Sequence, residues 1–194
     1  LIESIPERAD IRQLRTQAKD LLRSLQSGET LADGNRLPAT KLADAQLIIA
    51  RKYGFESWPK LVDKIETPLL IEQLKKVIEE GDAHGLDKLL SSKAGLRRKI
   101  NEPMFYFDQP AISVASSHSQ AEKLVPILVS HGADPNVRSK WWAGGFSALD
   151  RAKGKTVDVL LELGAKFDVW SAAGQGRIDE LRELLDLARI IHQC

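Results

Sequence analysis

The residues of this chain best suited to chemistry are aromatic and acidic, and they gather in three short segments. Phe105, Tyr106 and Phe107 are consecutive, Trp141 and Trp142 stand just ahead of Phe146, and Trp170 follows Asp168. Trp and Tyr are enriched among interface hot spots because they offer large, rigid contact area. The same rings, each burying about 150–250 Å², serve equally well to close a core. The sequence leaves both uses open. If the segments are extended, side-chain alternation turns Tyr106 and Trp142 outward. Asp108 and Asp150 flank the rings, and His118 falls between them in sequence. Two carboxylates at a suitable separation can hydrolyse a glycosidic bond, and aromatics with a few convergent polar groups are a common ligand pocket. A small-molecule or hydrolytic site using Asp108, Asp150 and the aromatic groove is therefore the second reading beside a binding surface for another protein or peptide.

Other chemistries lack their residues. His84, His118, His131 and His192 form no helical pair and no His/carboxylate motif of metal-binding spacing. Ala143-Gly144-Gly145 has no lysine and no strand–helix setting for a phosphate loop. Cys194 is the single cysteine, so there is neither an intrachain disulfide nor a cysteine-rich metal site. No metal and no cofactor is expected. Lys and Arg total 28 against 27 Asp and Glu, a balance unlike that of phosphate-neutralising nucleic-acid binders. Arg97-Arg98-Lys99, the one compact basic cluster, reads as a solvated turn. No run of 18 apolar residues is present, so no membrane span is expected. The start, Leu1-Ile2-Glu3-Ser4, lacks a positive region ahead of an apolar run, so no secretory signal is expected and the default expectation is cytoplasmic. The missing initiator Met points to a trimmed start.

The elements that must position these residues are helices. Ser4 and Glu7 have capping-box spacing, and Ile11, Leu14, Ala18, Leu21, Leu22 and Leu25 share one helical stripe up to Gly28. Residues 29–40 read as a loop. A second helix is predicted from about Lys41 to Tyr53, stopped by Gly54, and a third from Ser57-Trp58-Pro59. Tyr53, Phe55 and Trp58 form an aromatic corner between the two. Thr67-Pro68 has the form of an N-cap with proline at the first helical position, and so predicts a fresh helix start. Gly81-Asp82 breaks that helix ahead of Leu86, Leu89 and Leu90.

Downstream the chain repeats itself. Leu128 to Arg138 reads LVSHGADPNVR, a helix end, a glycine stop and a turn. Leu160 to Asp168 reads LLELGAKFD, which aligns Gly164-Ala165 with Gly132-Ala133. Leu89-Leu90 with Ile100-Asn101 resembles a worn earlier copy, and Ser171 to Gly176 resembles the start of a later one. Gln109-Pro110-Ala111-Ile112 and Ser147-Ala148-Leu149-Asp150 stand where each unit would begin. The third unit, Ala152 to Gly164, is shorter than its neighbour and must trim its first helix or the inter-helix turn.

A period near 33 residues with a HGADPN-type turn resembles the ankyrin repeat, a turn plus two antiparallel helices. The string from Ala50 to Leu61, ARKYGFESWPKL, is similar to the helical N-terminal region of certain bacterial ankyrin-repeat proteins. The resemblance implies an all-α chain, with an N-terminal helical region at residues 1–66 and an α-solenoid of about four irregular repeats at 67–194. It implies no catalysis, and a role in binding another protein or peptide through the connections and the concave face. On this chain those positions are Phe105, Tyr106, Phe107, Trp141, Trp142, Asp150 and Trp170. It makes His131 structural and gives Asp150, at the repeat's usual histidine position, the same local backbone bond. Successive second helices should then pack side by side, with Ile127 and Leu128 near Val159 and Leu160. From Ile178 on, Leu181, Leu184, Leu185, Ala188 and Ile191 share a face, and Leu187 and Ile190 widen it. That is more apolar surface than a terminal repeat shows to water, so either the chain continues past Cys194 or this helix packs on the N-terminal helices or on a second copy as a homodimer.

Overall fold

We describe residues 2–6, 9–27 and 41–191 of a computed structural model, with side chains through residue 186. Glu7, Gly28, the loop at 29–40, His192, Cys194 and the side chains of Leu187 and Ile190 lie outside the described residues. The described residues hold eleven α-helices, one 3-10 turn at Tyr106–Asp108 and no strand, so the fold is all-α. None of the helices is long and apolar enough to cross a membrane. The chain divides into two compact units, Leu1–Leu70 and Ile71–Cys194, with the boundary inside one helix.

In the first unit, α1 (Ile11–Gln26) packs against α2 (Leu42–Lys52). Its start is capped by Asp10, whose carboxylate accepts the Arg12 N–H at 2.7 Å. Asp10 takes the place predicted for Ser4 because it stands directly before the apolar stripe; the chain at Ser4 is not helical. Ile11, Leu14, Ala18, Ile49, Ala50 and Leu61 form the core, and Tyr53, Phe55 and Trp58 pack against it as a corner. The next helix, α3 (Trp58–Glu79), starts with the Leu61 N–H on the Ser57 carbonyl at 3.2 Å.

Thr67-Pro68 does not start a helix. Pro68 lies inside α3, where it leaves the Lys64 carbonyl without its usual N–H partner. Leu61 on one side and Leu74 and Ile78 on the other are fully buried at helical spacing. Burial on both sides thus outweighs the local break, and the Thr67 hydroxyl bonds back to Asp63 Oδ1 at 3.2 Å instead of capping.

In the second unit, short helices alternate with tight turns: α4 (Ala83–Ser92), α5 (Ala94–Arg98), α6 (Ala111–Ala115), α7 (Ala121–Ser130), α8 (Ala148–Arg151), α9 (Lys155–Glu162), α10 (Val169–Gly174) and α11 (Ile178–Ile191). Helix α4 packs on α7 and α7 on α9, while α6 packs on α8 and α8 on α10. Ile127-Leu128 and Val159-Leu160 thus sit on neighbouring helices. The predicted shortening is shared: α9 has 8 residues against 10 in α7, α8 has 4 against 5 in α6, and the turn between them is also shorter. Helix α5 was not foreseen. It buries Leu96 and aims Arg97 at the carbonyls of Leu90 and of Ser91, the latter at 2.9 Å, so this arginine caps α4.

The turns are locked by a repeated pair of bonds. Gly132 (φ 98°) and Gly164 (φ 93°) end α7 and α9 in left-handed backbone, with Ala133 N–H on Leu128 O and Ala165 N–H on Leu160 O at 3.0 and 2.9 Å. No atom lies within 4 Å of a Cβ at either site, so it is the backbone angle, and not space, that calls for glycine. The Asn101 amide donates to Gly132 O at 3.0 Å and accepts the Asp134 N–H at 2.8 Å. Asn136 does the same one turn later, to Gly164 O at 3.0 Å and from Lys166 N–H at 2.8 Å. His131 Nε2 reaches Asp87 Oδ1 at 2.8 Å, tying α7 to α4.

Pro68→Ala should stabilise the protein by roughly 1–3 kcal/mol, since it restores an interior helix bond and gives up only the stiffening of the unfolded chain. Thermal and urea unfolding measure this; a destabilised variant would mean that a helix does begin at Pro68.

Candidate binding site

Two connections of the second unit carry the aromatics. The first, residues 102–110, folds back on the carbonyl of Gln109, which accepts N–H bonds from Met104 and Phe105, both at 3.1 Å. The buried Gln109 amide donates to Tyr106 O at 3.1 Å. Its Oε1, like Ser113 Oγ, is buried without a partner among the described residues. Closing so tight a loop forces Phe107 (φ 59°) and Asp108 (φ 51°) into left-handed backbone, which costs L-residues roughly 1–2 kcal/mol each. The Phe107 ring recovers part of this by meeting Trp141 edge-on at 5.0 Å.

The second connection, residues 137–147, closes where Ser139 N–H meets Phe146 O and Phe146 N–H meets Ser139 Oγ, both at 2.8 Å. Gly145 is needed inside it, because a Cβ there would sit 2.5 Å from the Ser139 carbonyl. Trp141 lies nearly parallel to Phe146, with centroids 5.6 Å apart and 16° between planes. Trp142 sits 6.0 Å from Trp141 and points away into solvent.

Arg138 holds this connection to its neighbours. Its Nη1 donates to Asp168 Oδ2, and its Nη2 donates to Gly145 O and lies 3.7 Å from Asp150 Oδ2. Both carboxylates are also bound to backbone. Asp150 accepts the Ser147 N–H at 2.6 Å, and Asp168 accepts the Ser171 N–H at 2.8 Å. Burial alone pushes the Asp168 carboxyl up, but the Ser171 N–H and hydroxyl, the Arg138 charge and the Trp170 N–H together hold it below its ordinary value of 3.8.

Beside the stack opens a groove of about 520 Å³, lined among others by Arg138, Trp141, Phe146, Asp150, Arg151 and Trp170. A smaller recess of about 280 Å³ shares Asp150 and Arg151 and adds His118, Lys153 and Thr156. His118 Nδ1 accepts the Gln120 N–H at 3.0 Å, so its Nε2 carries the proton and donates to Glu79 O at 3.2 Å. Among the described residues, Asp108, Phe105 and Tyr106 line neither cavity. The residues proposed for acid/base work are thus dispersed: Asp108 is exposed on its loop, Asp150 is a cap paired with arginine, and His118 has both nitrogens engaged.

The chain matches no family model, no curated protein and no solved structure. The site therefore stands on its own geometry. It brings together Phe107, Trp141, Trp142, Asp150 and Trp170, and leaves Phe105 partly buried and Tyr106 exposed beside them. Sequence reasoning missed Arg138, Arg151 and Gln109. Neither Arg138 nor Gln109 carried a local signal, since the partners of Arg138 lie up to thirty residues away and Gln109 acts only through closure of its own loop.

Asp108→Gly should leave the protein as stable or up to about 1 kcal/mol more stable, as glycine takes the left-handed angle but loses more backbone entropy. Clear destabilisation in thermal unfolding would show that the Asp108 side chain supports the loop. Asp168 has a lowered pKa, so its charge contributes stability that is fully present above pH 3.8 and lost as pH falls below that value. Asp168→Asn keeps the cap and removes the charge. It should cost no more than about 1 kcal/mol near neutrality, the partly exposed pair being screened, and the difference should vanish in acid. A difference that is flat in pH would remove the charge from the account.

Proposed function

We propose that the second unit is an irregular ankyrin-type solenoid of about four repeats, and that the chain is a non-catalytic module that binds another protein or peptide through its aromatic connections. The repeat reading is supported by the two rows of helices, α4-α7-α9 and α6-α8-α10, and by the matching bonds of Asn101 and Asn136 to the next glycine turn. Three turns linked in this way support a stack in which corresponding loops lie side by side.

One observation carries the functional reading. Tyr106, Trp142 and Trp170 are 86%, 89% and 76% exposed, although each stands on a loop or helix start fixed by hydrogen bonds. Rings that packed a core would be buried. Rings on a mobile tail would have no fixed neighbours. Exposed aromatics on hydrogen-bonded backbone, with Trp170 lining a preformed groove and Trp142 beside the Trp141 that lines it too, suit a binding surface, because less conformational entropy is lost when it is covered.

The test is a display selection of random peptides on the immobilised full chain, with a Tyr106→Ala, Trp142→Ala double variant for comparison. Peptides retained by the wild type should lose roughly 1–4 kcal/mol of affinity per hot-spot ring removed, with unfolding curves unchanged because both rings are solvent-exposed. Binders indifferent to both substitutions would place the binding surface elsewhere.

A further inference from the structure

We infer that the groove takes an acidic peptide: a segment of a partner protein that carries an apolar side chain next to an aspartate or glutamate. The inference rests on the binding reading above and names the chemistry of the partner.

The apolar half follows from the walls, which include Trp141 stacked on Phe146 and the exposed Trp170. The acidic half follows from the charges left over once internal pairs are made. Asp150 and Asp168 are both held by Arg138 and by backbone N–H groups, so neither is available to a ligand cation. Arg151 and Lys153 have no ion-pair partner among the described residues, and both line the recess that shares Asp150 and Arg151 with the groove. Arg151 already lies over the Phe146 ring, 6.0 Å from its centroid. That contact keeps the planar guanidinium at the aromatic wall, where its donors can take both oxygens of a carboxylate. The buried Thr156 sits in the same recess. A carboxylate there adjoins two cations, while the neighbouring side chain of its own segment rests on Trp141 and Phe146. A polyanion such as nucleic acid is disfavoured: the chain carries a net charge of only +1, and phosphate backbones are held by many cations.

Two matched random-peptide libraries form the probe, one containing Asp and Glu and one with Asn and Gln in their place. They are selected on the full-length chain and on an Arg151→Gln, Lys153→Gln variant whose fold is checked by circular dichroism. The expected result is enrichment from the acidic library alone, with affinity for the double variant down by about tenfold or more and falling with added salt. The Arg151→Glu, Lys153→Glu variant should select Lys- or Arg-bearing peptides instead. Binders from both libraries that need Trp142 but not Arg151 or Lys153 would overturn the acidic partner and leave the binding reading standing. Acid-dependent binders indifferent to Arg151 and Lys153 would likewise overturn it. No binder from either library would bring down the peptide-binding reading, and the acidic partner with it.

Discussion

Short helices leave most of their backbone polar groups unpaired, and the second unit depends on how those groups are satisfied. A helix has about four unbonded N–H groups at its start and four unbonded carbonyls at its end. Helices α6 and α8 have 5 and 4 residues, so nearly every polar group in them is an end group. Burying Ala111, Ile112, Ala148 and Leu149 completely is feasible only if those groups find partners. Side chains supply them. Ser147 and Asp150 cap each other at α8, Asp168 and Ser171 at α10. Gln175 donates to the carbonyls of Leu149 and Ala152, both at 2.8 Å, and so closes the end of α8 from the next helix pair.

The same accounting builds the aromatic groove. Once Asp150 and Asp168 are committed to caps, Arg138 answers both: Asp168 at the oxygen its cap leaves over, and Asp150 at the oxygen that also accepts the Ser147 N–H. Its contact with Gly145 O draws the loop down, and this sets Trp141 and Phe146 in parallel with Phe107 against them. The groove is a by-product of satisfied helix starts. Its carboxylates are already engaged by backbone N–H groups and Arg138, which makes them poor candidates for acid/base work.

Much of the helical pattern was legible in the sequence. Apolar spacing marked the stripes of α1 and α4, and the two HGA- and LGA-type endings marked the aligned stops of α7 and α9, because a left-handed glycine after an apolar run has few other uses. Thr67-Pro68 misled, since local propensity favours a break and only long-range burial of Leu61, Leu74 and Ile78 opposes it. Ser4 misled for a like reason: its spacing was right, but the apolar stripe begins beside Asp10. In the site, Tyr106 and Trp142 do face outward, but not by strand alternation: Tyr106 opens a 3-10 turn in which Phe107 is exposed as well, and Trp142 lies in a tight turn. The left-handed pair Phe107-Asp108 was not legible, because neither residue type favours that angle and only closure on Gln109 demands it. Nor was the split of charges, which depends on Arg138 reaching across about thirty residues of chain to Asp168.

Magnitudes decide what the exposed rings can do alone. Covering a large apolar side chain is worth roughly 3 kcal/mol at most by area, so Tyr106, Trp142 and Trp170 together offer about 9 kcal/mol. Association itself costs about 4–15 kcal/mol in lost translational and rotational freedom. The three rings therefore sit close to break-even, and stable binding needs further contributions. The fold provides two. On the proposed reading, loops closed on Gln109 and on Ser139 would spare ordering entropy, and Arg151 and Lys153, which have no ion-pair partner among the described residues, would add a charge-assisted contact in the adjoining recess. A surface that bound a partner on these terms would reject segments that merely bring apolar bulk, and would discriminate by what stands next to it.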